Sequence, residues 1–86
     1  MIGRSVIVSN RSGLHARVAS QFCARAKQYQ AQVVILVRDQ WISARSILDV
    51  MAANIRQGEC ISIYCDGPEE ALASDALVKF LTDLRE

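Results

Sequence analysis

The chain has 86 residues and a formal net charge of +1, with ten basic residues against nine acidic ones. A chain this short buries only about 60–65% of its unfolded surface, so we expect residues 1–86 to form one small domain. The charges are spread along the chain without a block of one sign, which argues against a large nucleic-acid surface. The hydrophobic content of 51% is sufficient for a single core.

The apolar segments predict a cytoplasmic protein that does not insert into a membrane. The longest apolar run, Val33 to Val37, is far shorter than a membrane span. The residues from Met1 to Arg4 do not begin an apolar signal segment.

Cys23, Cys60 and Cys65 leave one cysteine unpaired in any disulfide scheme, and no two of them form a C-x-x-C pair. We expect all three to be reduced and buried. If residues 59–65 form a strand, Cys60 and Cys65 lie on opposite faces and cannot bridge each other.

The first half of the chain predicts a strand, a helix and a hairpin. Residues 5–8 are β-branched and lead into turn-forming residues at 10–13. From Ala16 to about Gln28 the apolar residues recur at helical spacing. Residues 33–37 form a buried strand, 38–40 a turn and 41–43 a short returning strand. The apolar face of the helix consists of Val18, Ala19, Phe22, Cys23, Ala26 and Tyr29.

The second half predicts a short helix, a strand and a long helix. Ser46 and Asp49 have the spacing of a capping box, which begins a helix of about two turns that ends before Gly58. Residues 59–65 alternate between apolar and polar as a half-buried strand does. The last helix begins near Pro68. Its predicted buried face consists of Leu72, Ala76, Leu77, Phe80, Leu81 and Leu84.

The predicted order is therefore βαββαβα, an α+β fold. The economical arrangement is one four-stranded, largely antiparallel sheet with the three helices on one face. These signals do not fix the strand order.

His15 is the one histidine of the chain, and it lies between a glycine loop and the first helical residue. Unpaired backbone N–H groups and the positive end of the helix dipole converge there, which predicts an anion site. An anion carried on the imidazole would be held by the N–H groups after His15, and Arg17 would add a charge-assisted contact to phosphate oxygens. Alternatively, His15 is merely an N-cap or a loop residue. No Cys, Asp or Glu lies close enough in sequence to complete a metal site, and a hydrolytic triad has no nucleophile at a recognisable spacing.

The segment GLHAR, residues 13–17, resembles the active-site motif of the HPr family, the histidine phosphocarriers of the phosphoenolpyruvate-dependent sugar phosphotransferase system. Residues 45–51 resemble the second signature of this family, which centres on a serine that opens a short helix. The order of strands and helices agrees along essentially all 86 residues.

The resemblance implies an open-faced β-sandwich and a bacterial phosphocarrier. His15 would accept a phosphoryl group at Nδ1 from enzyme I and pass it to a sugar-specific or regulatory IIA-type acceptor. Arg17 and the backbone N–H groups of Ala16 and Arg17 would stabilise the phosphate. Such a protein is a monomeric intermediate of a relay rather than a stand-alone catalyst, and it needs no cofactor and no metal.

The second predicted helix is apolar nearly all round, although a small domain can bury only one stripe of it. Part of it must face solvent and form a docking surface, unless the helix is buried more deeply than a surface helix usually is. By resemblance, the docking residues are Ser20, Ile47, Leu48 and Met51.

Ser46 supports two compatible interpretations, an N-cap and a site of regulatory phosphorylation by an HPr kinase, as in some bacteria. A phosphate there would gain from the helix N-terminus, but the like charge of Asp49 would oppose it.

Val18 stands where the family most often has proline, and it adds a backbone donor and some freedom in φ near the site. Asp49, Ala53 and Asn54 also depart from the common pattern. These differences fit a divergent member, including one of the nitrogen-related regulatory branch. A protein that acts by docking alone, without phosphorylation of His15, is the harder alternative to dismiss.

An RNA-binding module with a similar sheet is disfavoured by the aromatic residues. Phe22, Tyr29 and Phe80 are predicted on helices, and only Trp41 and Tyr64 fall in strands.

Overall fold

The computed structural model describes residues 1–85 and has the predicted order βαββαβα. The elements are β1 (Ile2–Ile7), α1 (Ala16–Ala26), β2 (Gln32–Val37), β3 (Gln40–Ser43), α2 (Ile47–Ala52), β4 (Cys60–Asp66) and α3 (Glu70–Thr82). The first strand therefore begins earlier than predicted. The first helix ends two residues before Gln28, and Tyr29 lies in the following turn rather than on the helix.

The four strands form one antiparallel sheet in the order β1-β4-β2-β3. The strand β4 lies between β1 and β2, and its register places Ile7 opposite Cys60 and Val33 opposite Cys65. This order makes β4, which comes late in the chain, a central strand. The predicted fold class is confirmed.

One face of the sheet is buried and the other is open. The residues of β2 and β4 that face the core alternate with half-buried ones, as the period of a strand requires. The helix α1 covers the buried face with the predicted residues, apart from Tyr29. Among the largest fully buried side chains are Phe22, Ile35, Ile61, Ile63 and Leu77.

The helix α3 buries Leu77 and Leu81 as predicted, and Phe80 and Leu84 pack against the core, but the prediction for Leu72 was wrong. Leu72 is 59% exposed, whereas Ala73, Ser74, Leu77 and Leu81 are buried. Positions 73, 77 and 81 repeat every fourth residue and so lie on one stripe. Leu72 lies about 140° around the helix axis from Leu77, because each residue turns the chain by about 100°.

The cysteines do not all share one environment. All three are free thiols, and Cys23 and Cys65 are buried as predicted. Cys60 is exposed, so its predicted burial was wrong. The reason is the alternation of β4, which turns Cys60 to the face opposite Cys65.

The β2–β3 hairpin has a two-residue turn, Arg38 and Asp39, both with positive φ (48° and 64°). This conformation suits the right-handed twist of paired strands but strains an arginine. Side-chain contacts of Arg38 with the Glu59 carboxylate and the Ala53 carbonyl tie the turn to the segment that follows α2. None of the helices in residues 1–85 is both long and apolar enough to span a membrane.

Candidate functional site

The loop from β1 to α1 is fixed by backbone contacts to the segment after α2. The N–H of Leu14 donates to the carbonyl of Ile55 at 3.0 Å, and the side chain of Leu14 is buried. Gly13 has φ +66°, and a Cβ at this position would lie 2.4 Å from the Ile55 oxygen. The buried side chain of Asn10 donates to the Gly13 carbonyl at 2.8 Å. Glycine is therefore required immediately before the histidine segment.

His15 occupies the N-cap position of α1, but its side chain makes no capping hydrogen bond. Its backbone is extended (φ −74°, ψ −179°), and its carbonyl accepts from the N–H of Ala19 at 2.7 Å. The residue is half-buried and lines an open groove, so the ring lies outside the hydrophobic core. The simple N-cap interpretation thus accounts for the backbone of His15 but not for its imidazole.

The positive end of α1 lies beside this ring. Ala16 and Arg17 are the first helical residues, both are exposed, and the first turn contains no acidic side chain. The N–H groups of a first helical turn have no partner within the helix. The dipole of α1 is therefore not neutralised by a carboxylate of its own first turn. Val18, which replaces the common proline, is fully buried in the core.

The groove around His15 has a volume of about 280 Å³. Its walls come from three segments: the loop before α1, the start of α1, and α2 with the residues that follow it. The lining residues are Ser12, Leu14, His15, Ala16, Met51, Asn54, Ile55 and Arg56. The structure therefore brings together His15, Ala16 and Met51 of the predicted site residues, and Arg17 follows on α1 outside this lining.

The helix α2 exposes much of its apolar surface, as predicted. Ser46 is its N-cap, and the hydroxyl accepts from the N–H of Asp49 at 3.2 Å. The N–H of Ser46 donates instead to the carbonyl of Ser43, so the reciprocal half of the predicted capping box is replaced by a turn contact. Only Val50 of this helix is buried.

We call the three large exposed apolar residues of α2 the α2 patch: Ile47 (37% exposed), Leu48 (76%) and Met51 (39%). Of these, Met51 reaches the groove of His15, whereas Ile47 and Leu48 lie outside its lining. Ser20 is exposed one turn along α1 from Ala16. The alternative, that α2 is buried more deeply than a surface helix usually is, was wrong.

The sequence did not indicate Ser12, Asn54 or Arg56 as groove residues. Asn54 has φ +52° and ends α2, with its N–H donating to the Met51 carbonyl at 3.0 Å. Asparagine after a short apolar helix is a known stop signal, and it could have indicated the end of α2. No local pattern could have placed Arg56 in the same groove as His15, because the two walls meet only in the tertiary fold.

Glu59 organises the segment behind the groove. Its Oε1 accepts from the backbone N–H of Arg56 at 2.8 Å, and its Oε2 contacts Arg38. The hydrogen bond from the Arg56 backbone, with the Arg38 guanidinium second, holds the pKa of Glu59 below its usual value. This carboxylate therefore links the hairpin turn to the wall of the groove.

Comparison with known proteins finds similarity to phosphocarrier proteins of one family. A family model described as the "PTS HPr component phosphorylation site" matches residues 2–83. The phosphocarrier protein HPr of Neisseria meningitidis serogroup A is 31% identical over 81 residues, which is 94% of this chain and 91% of the relative. The HPr of Lysinibacillus sphaericus is 33% identical over 72 residues, or 84% and 82% of the two chains.

Solved structures agree in fold. The crystal structure of HPr-C-His from Thermoanaerobacter tengcongensis is similar with a TM-score of 0.91 and 28% identity, over 95% of this chain and 92% of the other. An HPr structure from Bacillus anthracis has a TM-score of 0.89 at 30% identity, over 93% and 95% of the two chains. The sequence motifs, the fold and these similarities together place the chain in the HPr family of phosphocarrier proteins of the phosphotransferase system.

Proposed function

We propose that His15 accepts a phosphoryl group from enzyme I and passes it to a sugar-specific or regulatory IIA-type acceptor. The observation that carries this proposal is the position of the imidazole, which lies at the N-terminus of α1 in an open groove and does not cap the helix. A ring in this position is accessible to a partner protein and adjoins backbone donors.

The chemistry requires a phosphoryl group that is held and then released. Nδ1 of His15 forms a bond to phosphorus as the bond between phosphorus and the donor breaks, and the second transfer reverses these roles. The N–H groups of Ala16 and Arg17 and the Arg17 guanidinium supply positive potential to the oxygens. A helix end stabilises an anion by about 0.3–1 kcal/mol, which leaves the phosphoryl group transferable.

Ser20 and the α2 patch form the proposed docking surface for enzyme I and the acceptor. The exposed apolar area of Ile47, Leu48 and Met51 adjoins the groove, since Met51 belongs to both. An apolar surface with a flexible methionine suits a protein that binds several partners in turn.

Ser46 is proposed as a second, regulatory phosphorylation site for an HPr kinase. The hydroxyl is half-buried and already engaged as the cap of α2. A phosphate there would add negative charge beside Asp49 and next to the α2 patch, which would weaken docking of an acidic partner surface.

We propose a cytoplasmic monomer in which residues 1–86 form a single HPr-like domain. The departures at Val18, Asp49, Ala53 and Asn54 leave both the sugar branch and the nitrogen-related branch as destinations, which the acceptor panel below distinguishes.

The test is a labelling assay with phosphoenolpyruvate, enzyme I and a panel of IIA-type acceptors. The expected product is an acid-labile phosphoprotein that is absent in His15→Ala and that loses its label to one acceptor class. Arg17→Ala should slow the transfer while the variant stays folded by circular dichroism.

A competent enzyme I, shown to phosphorylate another HPr in the same assay, provides the positive control. If this enzyme yields no labelled product, the chain acts by docking alone and the carrier proposal fails. An unchanged rate for Arg17→Ala would remove that residue from the mechanism.

A further inference from the structure

The segment that follows α2 brings a second arginine to the groove of His15. Asn54, Ile55 and Arg56 form one wall, and Ala16 lies on the α1 wall. Both Arg56 and Arg17 are exposed, but Arg56 shares the groove lining with His15, whereas Arg17 lies on α1 outside this lining.

The Arg56 side chain is oriented by its neighbour. The carboxamide of Asn54, in the orientation that gives its oxygen and nitrogen suitable partners, accepts from Nε of Arg56 at 3.2 Å and from Nη2 at 2.9 Å. A guanidinium has five N–H donors, so about three remain for another acceptor. Because Asn54 is itself fixed at the end of α2, the plane of the guanidinium is set before any anion binds.

The charge of Arg56 is offset only in part, because the Glu59 carboxylate interacts with it electrostatically but forms no ion pair with the guanidinium. Oε1 of Glu59 accepts from the backbone N–H of Arg56, and Oε2 contacts the Arg38 side chain. Within residues 1–85 the side-chain partner of the Arg56 guanidinium is the neutral carboxamide of Asn54, and no ion pair to this guanidinium is formed. Its positive charge therefore acts on the groove.

We propose that Arg56 is a second phosphate-binding residue, which contacts the phosphoryl group on His15 from the wall formed by residues 54–56. This inference rests on the proposed function, since it requires phosphorylation of His15. A phosphoryl group on histidine has several oxygens, and a planar guanidinium with free donors can bind two of them. The phosphoryl group is then held between the N-terminus of α1 and Arg56.

The experiment uses phosphoramidate as a small phosphoryl donor, so that enzyme I is not needed. The imidazole nitrogen of His15 attacks phosphorus, the P–N bond of phosphoramidate breaks, and ammonia leaves with the proton from the ring. The second ionisation of the resulting phosphohistidine is followed by ³¹P NMR as a function of pH, and His15→Ala identifies the signal.

The pKa of the phosphoryl group should rise by about one pH unit in Arg56→Gln, because a nearby cation favours the more highly charged form. Arg56→Lys keeps the charge without the planar fork and should give an intermediate value. Asn54→Gly retains the positive φ and removes the side-chain acceptor, so a smaller rise is expected. The matched control is Arg45→Gln, which removes the same charge at the other end of α2 from an exposed residue outside the groove and should match the wild type.

Equal values for the wild type and Arg56→Gln would overturn the inference, as would a wild-type chain that phosphoramidate does not phosphorylate at His15. A rise of the same size in Arg45→Gln would show a general charge effect and would also overturn it. If phosphoramidate labels His15 and the values differ as expected, but enzyme I transfers nothing, the role of Arg56 stands and the carrier proposal fails.

Discussion

Gly13 links the loop of His15 to the wall of the groove that contains Arg56. Its positive φ and its close approach to the Ile55 carbonyl are both incompatible with a side chain. Gly58 also has a positive φ (+91°), but no atom lies within 4 Å of the position that a Cβ would take. An added side chain at Gly13 would therefore cause both backbone strain and a steric collision, whereas at Gly58 it would cause backbone strain alone.

Gly13→Ala should destabilise the fold by about 1–3 kcal/mol more than Gly58→Ala, since only the former adds a collision to a strained φ. Gly58→Ala should cost about 1 kcal/mol from the left-handed conformation alone. Urea unfolding at equilibrium measures both values. Equal losses in the free energy of unfolding would mean that the loop before His15 moves to relieve the collision with the Ile55 carbonyl, contrary to the structure.

Glu59 gives the stability a predictable dependence on pH. Its folded pKa lies below the unfolded value, so its contribution is complete above the unfolded pKa and is lost as the pH falls through the folded pKa. Glu59→Gln should therefore lower the urea midpoint at pH 7 and differ progressively less from the wild type below about pH 4. If the difference in stability between Glu59→Gln and the wild type grew as the pH fell, the stabilising role of the ionised Glu59 carboxylate would be contradicted.

At the scale of elements, helix α3 shows how a sequence pattern can fail. Leu72 was predicted on the same buried face as Leu77 and Leu81, yet the buried stripe passes through Ala73 and leaves Leu72 exposed. The small residues Ala73 and Ser74 are both buried, so the core-facing stripe of α3 is not made of large apolar side chains alone. The pattern of α1 was easier to interpret, because large apolar and charged residues occupy separate faces there.

Leu77→Ala should destabilise the protein by about 2–5 kcal/mol, as for a fully buried leucine. Leu72→Ala should change the free energy of unfolding by less than about 0.5 kcal/mol, because the side chain is exposed. Thermal or urea unfolding of the two variants provides the comparison. Similar losses of stability would show that Leu72 is buried, as the sequence pattern predicted.

At the scale of the whole molecule, the order of elements followed from local periodicity, but the strand order did not. Pairing of β4 between β1 and β2 joins residues far apart in sequence, and alternation within a strand carries no information about its neighbours. The residues of the site also fall into those that the local sequence indicated and those that only the tertiary fold brings together. His15 and Gly13 were indicated by adjacent residues, whereas Arg56 enters the groove through the contact of Leu14 with Ile55.

The three cysteines report on folding of the entire domain. Cys60 is exposed, while burial raises the pKa of the Cys23 and Cys65 thiols above its usual value. In a reaction with a disulfide reagent at pH 8, Cys60 should react rapidly in the native state and the two buried thiols only at the rate of global opening. Cys60→Ser should abolish the rapid phase. Three equally fast thiols would indicate a much looser core.

The groove joins residues 15 and 56, which are 41 positions apart in sequence (56 − 15). During synthesis, His15 is therefore made well before the opposing Arg56, and both walls of the groove exist only once residues 54–56 have been added. The complete groove forms only when the backbone of Leu14 pairs with that of Ile55, which joins the early segment to the later one.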